Sequence, residues 1–160
     1  RYLEVLFDMN RTNIDRRIRD LEEKEAIKEL KARYCYYCDD QYNPDGIAGL
    51  FTIDGIWDGG IRGKNIGRES IRSFFKNASS RVTFAIHNVM NPIITIDGSK
   101  AHGSWYLLQA CVENGEAHWV SGRYEEDYSK IDNRWYFKKL EVRFSFWSPY
   151  VQGWTMKRDS

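Results

Sequence analysis

The chain reads as an α+β protein, helices first and sheet afterwards, and three observations carry that reading. Apolar residues recur at helical spacing from Asn13 to about Asp40. The period then changes from Arg81 onward to four long stretches rich in β-branched and aromatic residues. Three turn sequences, Asp97-Gly98-Ser99, Glu113-Asn114-Gly115 and Asp132-Asn133-Arg134, separate those stretches. Strands this long twist strongly. A curved antiparallel sheet packed on N-terminal helices is therefore expected, a cone-shaped α+β barrel around an apolar pocket.

In the first half, Ile14, Ile18 and Leu21, then Ile27, Leu30, Tyr34 and Tyr37, keep helical spacing with a phase change at residues 22–25. This predicts two helices. Asp20 followed by Glu23 resembles the capping pair of the second, and the first, rich in charge, reads as an arm or lid. Asn43-Pro44-Asp45-Gly46 reads as a turn, residues 47–51 as a short helix and residues 55–58 as a strand. Gly59 to Gly67, GGIRGKNIG, reads as a mobile surface loop. It lacks the ending of a phosphate loop, Asn65 standing where the hydroxyl would be. Arg68 to Asn77 is a helix with Ile71, Phe74 and Phe75 on one side. The four strands are expected over residues 82–96, 101–112, 117–131 and 135–150, joined as a meander.

The 160 residues suit a single domain over residues 13–150, with a tail over 151–160 in which Trp154 and Met156 could cover the cavity or a neighbouring subunit. Residues 1–12 are set aside as tag-like or flexible, because Leu3 to Phe7, LEVLF, resembles part of an engineered protease-cleavage linker, from which Asp8 departs. With 24 basic and 23 acidic side chains spread along the chain, no electrostatic footprint for nucleic acid or an acidic membrane surface exists. Three cysteines make no disulfide framework, and no apolar run approaches the roughly 20 residues of a membrane span, so a cytoplasmic protein is expected. The aromatic share of 15% is high enough that part of it can line a ligand site as well as fill the core.

Few residues carry chemistry. Cys35 and Cys38 have C-x-x-C spacing, but no second pair of ligands follows and the pair falls near a helix end, so both are read as reduced, partly buried thiols. His102 and His118 lie near strand starts and read as surface or rim residues. His87, in FAIHNVMNPIITIDG, faces either core or pocket. Asp39 stands where the amphipathic helix runs out. If that helix end packs across the mouth of the curled sheet, the two can hydrogen-bond, the carboxylate fixing the tautomer and stabilising the imidazolium formed when the histidine takes a proton.

The helix EAIKELKARYCYYCD, then GRESIRSFF, HNVMNPIITIDG and YEEDYSKIDNRWYFKKLEVRF together resemble the SnoaL-like branch of the nuclear transport factor 2-like superfamily, across roughly residues 25–150. The dehydratase side is the most similar, with bile acid 7α-dehydratase, scytalone dehydratase and hexachlorocyclohexane dehydrochlorinase. The resemblance implies a catalytic Asp39–His87 pair supported by Tyr34. It also implies a substrate contact from Tyr124 and from Arg143, the latter after a one-residue shift. Trp57, Trp105, Leu107 and Phe144 are candidate walls of the pocket. Neither His102 nor His118 falls at the second histidine of scytalone dehydratase.

The function expected on these grounds is that of a lyase of dehydratase type, working without metal or cofactor on a hydrophobic, ring-containing small molecule. A ketosteroid-type isomerase or polyketide cyclase would use the same pair, and the superfamily also holds ligand-binding and protein-interaction members without catalysis. A homodimer or homotrimer is implied by the same resemblance.

Overall fold

The computed structural model describes residues 2–154, with side chains from residue 13 onward. Met156 lies outside the described residues. One continuous helix, α1 (Tyr2–Asp39), replaces the two helices expected. No Pro or Gly interrupts residues 13–39, and Asp20 sits in mid-helix rather than at a cap. The phase change marks where the helix leaves the sheet: Ile14, Ile18 and Leu21 are exposed, so this part is an extension rather than a lid. Beyond it, Ile27, Leu30, Lys31, Tyr34, Cys35 and Cys38 are buried, spaced three or four apart on one stripe. Burying each large apolar side chain of that stripe stabilises by about 1.5–3 kcal/mol relative to exposure, which fixes the helix on the sheet.

Asn43 is an N-cap rather than part of a free turn, its Oδ1 accepting from the Gly46 N–H at 2.9 Å, and α2 (Pro44–Gly49) begins with Pro at its first position. A Cβ on Gly46 would stand 2.6 Å from the Tyr37 ring, so only glycine lets α2 lie this close to α1. Phe51 opens β1 (Phe51–Asp58), which is longer than expected. The stretch read as a mobile loop is instead a 3₁₀ turn, Gly60–Arg62, followed by β2 (Lys64–Ile66), which pairs antiparallel with β1. Helix α3 (Arg68–Ala78) buries Ile71, Phe75 and Ala78.

The meander is as expected: β3 (Val82–Asp97), β4 (Lys100–Glu113), β5 (Glu116–Ile131) and β6 (Arg134–Pro149), all antiparallel neighbours. The turns carry left-handed residues, Gly98, Asn114, Gly115, Asp132 and Asn133, which glycine, Asn and Asp tolerate. The sheet runs β2-β1-β6-β5-β4-β3 and is mixed, because β1 pairs parallel with β6; it curves without closing, leaving β2 and β3 as edges. Helices α1 and α3 pack on its inner face. Among the described residues no helix is long and apolar enough to cross a membrane.

Candidate active site

Two left-handed residues, Gln41 and Tyr42, end α1 and turn the chain back towards the sheet. That reversal leaves Asp39 facing edge strand β3. Its Oδ1 lies 2.7 Å from His87 Nδ1, and the same carboxylate accepts the His87 backbone N–H at 3.0 and 3.3 Å. The His87 side chain is only 5% exposed and that of Asp39 30%, so a half-open carboxylate reaches a closed imidazole. With Nδ1 engaged by Asp39, Nε2 is the ring nitrogen left to meet a substrate.

His87 lines a cavity of about 60 Å³ between the inner face of the sheet, the end of α1 and α3. Aromatic residues make half of its wall: Tyr34, Tyr42, Trp57, Phe74, Phe75, Tyr124, Phe144 and Trp147. Tyr34 is buried, and its hydroxyl oxygen accepts from Trp57 Nε1 at 3.0 Å. Burial pushes the Tyr34 phenol well above its ordinary value, so at neutral pH it retains a proton to donate. The Tyr42 ring stacks on Phe75 and meets the His87 ring edge-on at 6.1 Å. Its hydroxyl accepts from Gln109 Nε2 at 3.5 Å, and Gln109 stands directly opposite His87 in the β3–β4 register.

Four of the expected wall and contact residues, Tyr34, Trp57, Tyr124 and Phe144, border this cavity together with His87. Three do not. Trp105 is buried away from it, donating to the Tyr128 hydroxyl at 3.1 Å, and Leu107 is core. Arg143 points outward with its side chain 75% exposed and Nε bonded to Glu141. The reason is register. Strand β6 breaks register with β5 between Asp127 and Tyr128 and again between Ser121 and Gly122, so its inward residues switch from Trp135 and Phe137 to Leu140, Val142 and Phe144, then to Trp147. Arg143 lies between the two breaks, in the phase that faces out. At the second break a Cβ on Gly122 would lie 2.6 Å from the Arg143 carbonyl oxygen, which only glycine avoids.

His102 is exposed and held by Asp127 and Glu125, and its pKa is raised chiefly by the Asp127 hydrogen bond. His118 sits against the Trp147 ring near the rim. Cys35, Cys38 and Cys111 are all free and buried. Trp154 packs on Phe146 and does not border the cavity.

Sequence reasoning missed Tyr42, Gln109, Arg62, Glu113, Arg81 and Trp147, all of which line the cavity. A signal existed for Gln109. It is the polar member of the alternating inward series Trp105, Leu107, Gln109, Cys111. Arg62 had none, because the glycine-rich stretch carrying it looked structureless.

The curved, open sheet packed on N-terminal helices is the nuclear transport factor 2-like α+β fold. Residues 19–141 match the SnoaL-like domain, and the chain belongs to that family. Its fold is shared with a proposed aromatic ring hydroxylase from Novosphingobium aromaticivorans, which is 26% identical with a TM-score of 0.76, over 82% of this chain and 96% of that one. A proposed scytalone dehydratase from the same organism is 22% identical with a TM-score of 0.75, over 82% and 89%. The hexachlorocyclohexane dehydrochlorinase LinA-type3 from Novosphingobium barchaimii is 21% identical with a TM-score of 0.74, over 87% and 97%. No curated protein matches the chain.

Proposed function

We propose that the protein is a lyase of dehydratase type, in which His87 is the general base and Asp39 the residue that orients and charges it. The observation that carries this is the 2.7 Å contact between Asp39 Oδ1 and His87 Nδ1 in the wall of an aromatic cavity. Neighbours named as a dehydratase and a dehydrochlorinase support elimination as the reaction class. His87 Nε2 takes a proton from carbon. The electron pair of that C–H bond becomes the new double bond while the C–O bond to the leaving hydroxyl breaks. The departing oxygen collects a proton from Tyr34, or the one carried by the imidazolium, and leaves as water. Asp39 stabilises the imidazolium in between.

The aromatic wall selects an apolar, ring-containing substrate and keeps bulk water from the base. No step requires a metal or an organic cofactor. The test is a panel of hydroxylated steroids and polyketides followed by mass spectrometry. Loss of one water from a member of the panel supports the dehydratase reading. A product of unchanged mass transfers the same pair to an isomerase or cyclase. Binding without any product makes the domain a ligand carrier.

A further inference from the structure

We infer that the substrate carries an anionic oxygen group, a carboxylate or phenolate, and that Arg62, Arg81 and Trp147 receive it at the end of the cavity remote from His87. This rests on the elimination reading above only in calling the ligand a substrate.

His87, Gln109, Val120 and Trp147 form one row across β3, β4, β5 and β6. Three strand spacings separate its ends, roughly 14 Å along the sheet. The two ends differ in chemistry. At the His87 end the polar groups hold each other, Asp39 on His87 and Gln109 on Tyr42. Also bordering the cavity are two guanidinium groups, Arg62 and Arg81, against one carboxylate, Glu113. Arg81 and Glu113 lie further along β3 and β4 from His87 and Gln109, where Val82 faces Glu113, and Arg62 links Glu113 to Trp147.

Arg62 is fixed there from two sides. Its Nη1 and Nη2 meet the Glu113 carboxylate at 2.6 and 3.0 Å, and its guanidinium lies 3.7 Å over the Trp147 ring. The pair with Glu113 cancels one charge and leaves the positive charge of Arg81 in excess. Beside them is the indole Nε1 of Trp147, a buried N–H with no hydrogen-bond partner. Such a donor is costly to bury unmatched, and in a cavity wall a ligand acceptor is what satisfies it. An excess cation and an unpaired donor lining one cavity both call for an acceptor bearing negative charge. A neutral amide meets the donor but not the charge.

The test uses binding rather than turnover, so it stands or falls separately from the role of His87. Benzoate and its neutral counterpart benzamide are titrated into the full chain by calorimetry at low salt. Benzoate is expected to bind about tenfold or more tightly than benzamide, as hydrogen bonds to a charged partner warrant. Trp147→Phe keeps a ring beneath Arg62 but removes the N–H, and Arg81→Gln removes the excess charge at an exposed position. Each should cut the benzoate preference at least about threefold while leaving the circular dichroism spectrum intact. Benzoate binding no tighter than benzamide, including no measurable binding of either, overturns the assignment. So does a preference that survives both substitutions.

Discussion

Asp39 grips His87 at two points, the ring Nδ1 at 2.7 Å and the backbone N–H at 3.0 Å, so one carboxylate sets both the imidazole orientation and the position of edge strand β3 against the end of α1. The two contacts separate on mutation. Asp39→Asn keeps an oxygen for the backbone N–H but supplies no negative charge to an imidazolium, so activity should fall while thermal stability changes little. Nitrogen-15 spectra of the imidazoles should place the neutral wild-type proton of His87 on Nδ1. A proton on Nε2 would leave Nδ1 as the acceptor and remove the base from the cavity.

A second relationship lies beneath the site. Lys31 and Glu126, both fully buried, form an ion pair under the cavity floor, with Lys31 Nζ 3.1 Å from the Tyr124 ring centroid and Glu126 also accepting from the Tyr128 hydroxyl. Lys31→Met strands the Glu126 charge and should destabilise by about 3–5 kcal/mol in urea unfolding. Adding Glu126→Gln removes that charge while keeping an acceptor for Tyr128, and should restore much of the loss. Equal stability of Lys31→Met and wild type would mean that the pair is not buried as described.

Buried phenols set the alkaline limit. Burial raises Tyr34, Tyr42, Tyr124 and Tyr128 well above the ordinary value of 10.0. Below about pH 10 both folded and unfolded chains keep these protons. Above it the unfolded chain releases them and the folded chain does not, so stability falls as pH rises. Tyrosinate absorbance should show these four of the ten tyrosines titrating late and together with unfolding. Titration of all ten as one class, with the fold intact, would contradict their burial.

The thiols make a kinetic prediction. Burial pushes Cys35 and Cys111 up to about 11 and raises Cys38 well above the ordinary thiol value, so little thiolate forms at neutral pH. A thiol reagent at pH 8 should label the native chain slowly and all three cysteines at once on denaturation. Rapid native labelling, or fewer than three thiols after denaturation, would run against this.

Phe84, Ile86 and Met90 of β3 stand exposed beside Tyr106 and Leu108 of β4, an apolar patch at the open edge of the sheet. A second copy of the chain is the occupant proposed for it. Light scattering should give a mass two or three times 18.9 kDa, reduced to the monomer by Ile86→Glu with Leu108→Glu. A monomeric wild type would leave the patch to another partner.

The parts of the molecule legible in the residues are those whose signals are local. The meander was legible because Asp97-Gly98, Asn114-Gly115 and Asp132-Asn133 announce their turns by residue type. Asp39 and His87 were legible as residues at a helix end and in a strand, and the fold supplied their contact. Helix α1 reads as two because periodicity reports burial, and Ile14, Ile18 and Leu21, ahead of the phase change, are exposed rather than buried. The outward direction of Arg143 escapes the sequence because the two register breaks in β6 depend on long-range pairing that no local pattern encodes. Tyr42 escapes it because its place in the cavity depends on a left-handed turn at residues carrying no glycine.

The central claim is that His87 is the base. Turnover of His87→Ala against wild type, on the substrate that the water-loss screen identifies, tests it directly. The predicted result is a fall of about 10²–10⁴-fold with the circular dichroism spectrum unchanged; a variant turning over at the wild-type rate would contradict it.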